Sequence, residues 1–418
     1  MNEINSDEIA LRRKACKLFD KGVRVTHILK LIPRSRSWLY KWKQRFAAEG
    51  FAALDSLDKA PRHSPHEYPH KVVALVRRIR HRLQRGSVGL VGARSIRREL
   101  KQRHALKRVP GLTSINRWLK EAGLVATAVA EPEKIYYPAP QLNPAVVFHA
   151  CDWTQRYLTG GEKVFAFHTV DLHTHALWQT VGRDKTTATV RTHALGVWQE
   201  LGLPDFLQLD NDAAFTGLGK KSRVFGSFVR LCLYFGIELI FIPPAEAKRN
   251  SLVEGINHLW SHGFWEKNDF TSWRDFARKR GKFLSWYADY EPPKVGGLCV
   301  GQASALARRR KLKRREVIAV PAQLPLCAGR IHFVRQVSAT GEIELLKEHW
   351  KVSKRLAHKY VWATLSTNGQ RLEIYHRPSA RAQPRLVKQY AYAMGERVSP
   401  LLACYRRSHR RISVLKLI

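Results

Sequence analysis

The sequence is short of long apolar runs, paired cysteines and acidic residues, and each shortage excludes a class of protein. No apolar run approaches the ~20 residues of a membrane-spanning helix, so we expect no membrane partner. The opening stretch MNEINSDEIALRRK lacks the apolar core of a secretory signal. The six cysteines are widely scattered and form no CxxC pair, which favours reduced thiols in a cytoplasmic protein over disulfides or a zinc site. The sequence has no GxxxxGK[ST] motif, so ATP use is not indicated.

The shortage of acid leaves a large positive charge. The chain of 418 residues has 73 Lys and Arg against 34 Asp and Glu, a formal net charge of +39. This excess repels itself in a folded chain unless a polyanion neutralises it, so DNA or RNA is the expected partner. A hydrophobic share of 44% indicates a folding chain, and the length predicts roughly two to four domains. Ribosomal and membrane-surface proteins share the charge bias, so charge alone defines a class and no function.

The first region, over 1–55, has the pattern of a helix-turn-helix domain. Ser35 or Ser37 caps a helix in which Leu39, Trp42 and Phe46 pack inward. The residues predicted to contact DNA from this helix are Arg36, Tyr40, Lys41, Lys43 and Arg45. The alternative is a small helical bundle whose basic face is only solvated.

A second helix-turn-helix domain is predicted over 66–126. Its last helix, in the stretch VPGLTSINRWLKEAGL, is expected to be capped by Thr113 or Ser114 and closed by Gly123. The residues left exposed to reach a DNA groove are Asn116, Arg117 and Lys120. Residues 127–145 follow with four prolines and are predicted to form a stiff linker.

From 146 to 290 the periodicity predicts three strands followed by alternating helices and strands, which is typical of a mixed α/β sheet. Residues 291–318 form a basic linker containing RRRKLKRR, a run that is usually disordered or an interaction arm. From this run Arg308, Arg309, Arg310 and Lys311 are predicted to contact DNA. Short strands and an Asn368-Gly369 turn predict a small β-barrel over 319–380, before a basic tail over 381–418.

Three acidic residues stand at positions that suit a metal-dependent active site. Asp152 ends the first strand in HACDWTQ, Asp210 ends the fourth in LQLDNDAAF, and Glu254 lies early in the helix of KRNSLVEGINHLW. Carboxylates are the ligands that Mg²⁺ prefers, and two such ions activate a nucleophile and stabilise a leaving oxyanion in phosphodiester chemistry. A strand-end Asp is more often a turn or cap residue, which is the expectation for Asp171 and Asp205.

Two neighbouring carboxylates compete with this trio. Asp212 rivals Asp210, and Glu246 rivals Glu254. The sequence does not choose between the members of each pair.

These motifs, over 146–265, resemble the ribonuclease H-like catalytic core of DDE transposases and retroviral-type integrases, and most closely bacterial insertion-sequence transposases. In that family a strand ends in an Asp among aromatic and polar residues, as in HACDWTQ. A Thr-Asp-Asn-Gly motif followed by Phe is matched by Leu209, Asp210, Asn211, Asp212 and Phe215. The Pro-rich loop and Asn-Gly-x-x-Glu helix are matched by Pro243, Pro244, Asn250, Ser251 and Glu254, with Asn257 following. The fold class implied is multidomain: all-α helix-turn-helix modules, an α/β ribonuclease H-like mixed sheet and a C-terminal small β-barrel.

The chain departs from the family pattern at several positions. Leu209 replaces Thr, Asp212 and Ser251 replace Gly, Ala214 stands where an acidic residue is usual, and Gly255 where a basic one is common. The interval from Asp210 to Glu254 is longer than usual, and the insertion TGLGKKS at 216–222 accounts for it. The three candidate ligands are retained.

The resemblance implies a DNA transposase that binds transposon end repeats, nicks a 3′ end and transfers that strand into target DNA. It implies that Asp152, Asp210 and Glu254 bind two Mg²⁺ or Mn²⁺ ions. Asn211 and Asn257 are expected beside these ligands or on DNA, and Lys248 and Arg249 are expected to hold phosphate near the cut. Trp153 packs against substrate or, as the alternative, in the core.

The partners implied are double-stranded DNA and further copies of the chain, in a homodimer or larger synaptic assembly. Whether an accessory ATPase takes part is left open, and the location implied is the bacterial cytoplasm, on the nucleoid. Two other functions remain as alternatives. One is a domesticated transposase that binds DNA without cutting it, and the other is a ribonuclease H-like nuclease or resolvase.

Overall fold

The computed structural model describes residues 3–55, 68–125, 135–217, 223–293, 295–406 and 414–417. The chain divides into two compact units, 1–69 and 70–418. Several predicted segments fall partly outside the described residues, among them 218–222 of the insertion, 127–134 of the linker, and 407–413 and 418 of the basic tail. None of the described helices is long and apolar enough to cross a bilayer.

The first unit is built from three helices, α1 (Glu3–Asp20), α2 (Val25–Leu31) and α3 (Arg36–Glu49). Ala15, Ile28 and Leu39 are buried where the helices meet. Ser35 caps α3, because its hydroxyl accepts a hydrogen bond of 3.2 Å from the Trp38 N–H. Only residues 32–35 separate α2 from α3, which is the turn length of a helix-turn-helix.

Three more helices open the second unit: α4 (His70–Arg85), α5 (Ala93–Arg103) and α6 (Leu112–Glu121). Gly111, rather than Thr113 or Ser114, is the cap of α6. The connection from α5 to α6 spans 104–111, longer than the turn of a helix-turn-helix.

These helices are fastened to the rest of the second unit by hydrogen bonds. The Gly89 N–H donates to the Gly263 carbonyl at 2.8 Å, and the Lys267 ammonium donates to the Leu83 carbonyl at 2.8 Å. The region predicted as a separate second domain therefore packs as part of the larger unit.

One sheet of nine strands forms the centre of the second unit. Its first five strands are β1 (Phe148–Tyr157), β2 (Lys163–Asp171), β3 (Leu177–Gly182), β4 (Phe206–Leu209) and β5 (Glu238–Phe241). The helices around them are α7 (Thr187–Glu200), α8 (Ala213–Thr216), α9 (Ser227–Tyr234), α10 (Ser251–Gly263), α11 (Trp273–Ala288), α12 (Val300–Leu306) and α13 (Arg314–Ile318). β1 pairs antiparallel with β2 and parallel with β4, as the mixed-sheet prediction requires.

The remaining elements are β6 (Leu326–Cys327), β7 (Arg330–Gln336), β8 (Glu342–Leu345), β9 (Glu348–Lys351), β10 (Tyr360–Ser366), β11 (Arg371–His376), β12 (Arg385–Ala391), β13 (Val398–Ser399) and α14 (Val414–Leu417). Four of these strands extend the central sheet, whose order is β12-β11-β10-β7-β5-β4-β1-β2-β3. The other four form two small two-stranded sheets.

The small barrel predicted over 319–380 is therefore wrong as a separate domain. β7 pairs parallel with β5, with Leu239 opposite Ile331 and Phe241 opposite Phe333. These four side chains are buried in one core cluster with side chains of α7 and α9. Local strand patterns predict the strands but not their partner, and the apolar β5 edge provides a partner that buries both sides.

The basic run at 308–315 is packed against the second unit, which corrects its prediction as a disordered segment or arm. The Leu203 N–H donates to the Arg310 carbonyl, and the Leu312 N–H donates to the Trp198 carbonyl. Leu312 is buried, and Arg309 pairs with the buried Asp171 at 3.3 Å. Burial of the Leu312 side chain is favourable, and it helps to hold the basic run against the core although the neighbouring cations favour water.

Candidate active site

The register of two parallel strands sets Asp152 and Asp210 side by side. Ala150 of β1 pairs with Gln208 of β4, and each aspartate follows its paired residue by two positions. Neighbouring strands lie about 4.8 Å apart, so the two aspartates lie at the same level of adjacent strands. Asp210 follows the end of β4, as predicted. The prediction that Asp152 ends its strand is wrong, because the pairing of β1 with β2 continues past Asp152 to Tyr157. Asp152 is buried and Asp210 is half-buried.

Asn250 fixes the start of α10 against these two strands. Its side-chain oxygen accepts a 3.0 Å hydrogen bond from Gln208 of β4, and its amide donates to the Cys151 carbonyl of β1 at 3.3 Å. Glu254 follows Asn250 by one helical turn, and Asn257 follows by another, so the three lie on one face. Asn257 donates to Asp152 Oδ2 at 2.8 Å, which turns this face of α10 toward β1.

The electrostatics of the carboxylates support their being near one another. The pKa of Asp152 is raised to about 7, chiefly by burial and also by the negative charges of Asp210 and Glu254, while hydrogen bonds from Trp153 and Asn257 act to lower it. Burial likewise raises the pKa of Asp210, with contributions from Asp212 and Glu254. Asp152 therefore lies within the field of Asp210 and Glu254, and Asp210 lies within the field of Glu254.

The rival carboxylates have other partners. Asp212 caps α8 by accepting from the Ala214 N–H at 2.8 Å and pairs with Lys185 at 2.9 Å. Glu246 pairs with Arg249 at 2.8 Å and accepts from the Tyr360 hydroxyl at 2.8 Å. Both neighbours are thus engaged in local structure.

Asp171 is a turn residue, as predicted, because it accepts the backbone N–H groups of His173 and Thr174. Asp205 instead accepts the Val147 N–H, so it joins the segments that precede β1 and β4.

The chemistry of the three carboxylates fits a divalent cation. In the described part of the chain, no group of three or more His, Cys, Asp and Glu side chains is already arranged to hold a metal ion. Like-charged carboxylates repel one another unless a cation lies between them, and this repulsion adds to burial in raising the pKa of Asp152. Hard oxygen donors with incomplete charge compensation are the donor set that Mg²⁺ and Mn²⁺ select.

Two residues near the site, Lys185 and Arg335, were missed by sequence reasoning. The Lys185 ammonium lies 4.0 Å from the centre of the Trp153 ring and bonds to Asp212, so it is a cation close to Asp210. Arg335 of β7 donates to the Asn211 side-chain oxygen at 2.7 Å, and Asn211 donates to the Ile242 carbonyl at 2.6 Å. No local signal in the sequence connects 335 with 211.

Trp153 is only half-buried, and its ring packs 5.7 Å from that of Phe165 between centroids. It joins the margin of the core beneath Lys185. This agrees with the core alternative for Trp153.

The residues predicted to bind DNA divide into an exposed group and a half-buried group. On α3, Arg36, Tyr40, Lys41 and Lys43 are exposed, whereas Arg45 is half-buried beside Trp42. On α6, Asn116, Arg117 and Lys120 are exposed. Lys248 is exposed, as are Arg308, Arg310 and Lys311, while Arg309 is half-buried on Asp171.

The prediction that Arg249 binds phosphate is wrong. Its side chain is only 7% exposed, and its guanidinium lies 4.1 Å from the Tyr137 ring centre and pairs with Glu246. The group joins the connector before β1 to β10, because it also donates to the Tyr360 hydroxyl at 2.9 Å. These contacts make Arg249 a structural residue.

Comparisons with known proteins give low similarity. No protein-family model matches the chain. Among solved structures, the HTLV-2 integrase catalytic core domain in complex with magnesium (trimeric form) is 18% identical; the match covers 38% of this chain and 95% of that chain, with a TM-score of 0.29. The simian T-cell lymphotropic virus intasome in complex with PP2A regulatory subunit B56 gamma is 11% identical, covering 69% and 96%, with a TM-score of 0.35. The catalytic core domain of BIV integrase is 15% identical, covering 38% and 93%, with a TM-score of 0.27.

These identities and TM-scores are too low to assign a function. The function of this chain is therefore argued from the contacts among its own residues.

Proposed function

We propose that the protein is a DNA transposase, a polynucleotidyl transferase that cuts the ends of a mobile DNA segment and joins them to target DNA. The observation that supports this proposal is the placement of Asp152 and Asp210 at one level of paired strands, with the helix that contains Glu254 bonded to both strands through Asn250. The net charge of +39 supports DNA as the substrate. The exposed basic faces of α3 and α6 are suited to binding the end repeats.

Asp152, Asp210 and Glu254 are the residues that would hold two Mg²⁺ or Mn²⁺ ions. Bound divalent ions supply the charge that stabilises a pentacovalent phosphate and lower the pKa of an attacking hydroxyl. Asn257 orients Asp152 through its hydrogen bond, and Asn250 holds α10 against the two strands. Arg335 holds the loop after Asp210 through Asn211.

The cutting reaction and the joining reaction use the same site. In the first, water attacks the phosphodiester at the transposon end, and the 3′ oxygen leaves as a hydroxyl. In the second, that hydroxyl attacks a target phosphodiester, so one P–O bond forms as another breaks and no energy source is consumed. Both ends must meet for joining, which requires a dimer or larger synaptic assembly working on the bacterial nucleoid.

The test is strand transfer of a labelled transposon end by the full chain in Mg²⁺ or Mn²⁺. We expect the wild type to join the end to plasmid DNA and Asp210→Asn to lose at least a thousandfold in rate while still binding the end. The matched control is Asp205→Asn, which changes a carboxylate that accepts the Val147 N–H just ahead of β1. It should retain transfer if it folds.

Tight, specific binding of the ends without joining by the wild type would favour the domesticated DNA-binding alternative. Cleavage without transfer, or cleavage of branched DNA or RNA–DNA hybrids alone, would favour a nuclease or resolvase. Equal transfer by wild type and Asp210→Asn would overturn the active site assigned above.

A further inference from the structure

A continuous series of hydrogen bonds joins Asp152 to an arginine on α11. Arg280 Nε donates to Gln179 Oε1 at 2.6 Å, Gln179 Nε2 lies 2.7 Å from His168 Nε2, and His168 Nδ1 lies 2.7 Å from Asn257 Oδ1. Asn257 Nδ2 completes the series by donating to Asp152 Oδ2 at 2.8 Å. The five residues come from five different elements.

The sheet register lines up the middle of this series. Asp152 of β1 pairs with His168 of β2, and His168 pairs with Gln179 of β3. Directly paired residues on neighbouring strands lie on the same face, so the three side chains form a row across the sheet. α10 and α11 cover that face, and each contributes one polar residue to the row.

The direction of donation is the same at every link. A guanidinium has only donors, so the oxygen of Gln179 must face Arg280 and its NH₂ must face His168. His168 Nε2 is therefore an acceptor and Nδ1 carries the proton, which is given to the Asn257 oxygen. That leaves the Asn257 NH₂ toward Asp152, so the arginine at one end determines which atoms face the carboxylate at the other.

Burial makes this direction stable. His168 is fully buried and Gln179 is 3% exposed, so water does not compete for their hydrogen bonds. Burial also lowers the pKa of His168 to about 4, so the ring is neutral and has one donor and one acceptor. Arg280 makes a second bond to Gln179, to its backbone carbonyl, which holds the guanidinium in place.

We propose that Arg280, Gln179 and His168 are positioning residues that act through Asn257 to hold the Asp152 carboxylate in the orientation that receives a divalent ion. The inference rests on the proposed function, because it assigns these residues to the same metal site. Without the series, Asn257 can present its oxygen to Asp152 instead of its NH₂, which repels the carboxylate and disturbs its orientation.

The experiment measures Mn²⁺ binding by the full chain as the rise in thermal unfolding temperature with Mn²⁺ concentration, with no DNA present. Arg280→Gln removes the obligatory donor, and Arg278→Gln is the matched control. Arg278 is on the same helix and carries the same charge, but its side chain is 76% exposed and pairs only with Asp275. We expect Arg280→Gln to need at least about tenfold more Mn²⁺ for half of the effect, and Arg278→Gln to match the wild type.

Two further variants separate positioning from folding. Arg280→Lys keeps a donor for Gln179 and should recover part of the Mn²⁺ affinity. Gln179→Leu keeps the packing but removes the donor to His168, so it should lose Mn²⁺ affinity and let both ring tautomers populate. The ¹⁵N chemical shifts of His168 report that tautomer and keep the proposal testable if Arg280→Gln does not fold.

The outcomes distinguish this proposal from the one on which it rests. A wild type that responds to Mn²⁺, with an unchanged response in Arg280→Gln and Gln179→Leu, would overturn the positioning role alone. A wild type without any Mn²⁺ response would overturn the metal site and the positioning role together. A lower unfolding temperature with an unchanged Mn²⁺ midpoint would make the series purely structural.

Discussion

Neighbouring residues of like chemistry have different roles in this protein because their burial differs. Lys248 is exposed, whereas the side chain of Arg249 is 7% exposed and ion-paired. Charge in the sequence is the same at both positions. An exposed cation is available to a phosphate, whereas a buried one stabilises the fold through its partner.

This difference can be measured with two single substitutions. Arg249→Met should lower the free energy of unfolding by about 3–5 kcal/mol, because Glu246 is left without its partner. Lys248→Met should leave stability within about 0.5 kcal/mol of wild type. The measurement is chemical denaturation of both variants.

The same pair should behave in the opposite way on DNA. Lys248→Met should reduce the slope of log K against log salt by about 1, and Arg249→Met should leave that slope unchanged where it is folded. A loss of slope in Arg249→Met would show that its guanidinium leaves Glu246 to bind phosphate.

At the scale of elements, Gly202 in the turn after α7 allows the basic run 308–315 to pack closely. Gly202 has a φ of +97°, a backbone conformation that residues other than glycine rarely adopt. A Cβ there would lie 2.6 Å from Arg309 Cβ and 3.1 Å from the Arg310 carbonyl oxygen. The turn after α7 and the run 308–315 therefore fit together only because 202 is glycine.

Gly202→Ala should lower the free energy of unfolding by about 1–3 kcal/mol from backbone strain and clash. The matched control is Gly281→Ala in α11, where a Cβ meets nothing within 4 Å. That variant should be stabilised by up to about 1 kcal/mol, because alanine favours a helix more than glycine does. Thermal or urea unfolding tests both, and a neutral Gly202→Ala would show that the run is held loosely.

At the scale of the whole molecule, the C-terminal strands are part of the second unit. β7 covers the edge of β5, and Arg335 of β7 holds Asn211 beside Asp210. Removing these strands would expose the buried edge of β5 and release the loop that contains Asp210, one of the carboxylates proposed for the site.

Two truncations test this architecture. A chain of 70–418 should unfold in one cooperative transition, because it contains the complete second unit. A chain of 70–318 should lose that transition and become sensitive to protease, since its sheet ends at an uncovered apolar strand. A cooperative transition in 70–318 would instead support a separate C-terminal domain.

The sequence by itself indicated most helices of both units, the first five strands of the central sheet and the three carboxylates proposed for the site. It did not indicate β12, which lies in the segment predicted as a basic tail. These features depend on local patterns: apolar spacing in α3, strand runs before Asp152 and Asp210, and the early position of Glu254 in α10. Periodicity and caps act over a few residues, so one chain is sufficient to find them.

Only the tertiary structure decided which strands share a sheet, which cations are buried and which polar side chains meet. The pairing of β5 with β7, the burial of Arg249 and the series from Arg280 to Asp152 join positions far apart in the chain. Such contacts form because buried polar groups must find partners and apolar edges must be covered, and these requirements are met only when the whole chain is folded.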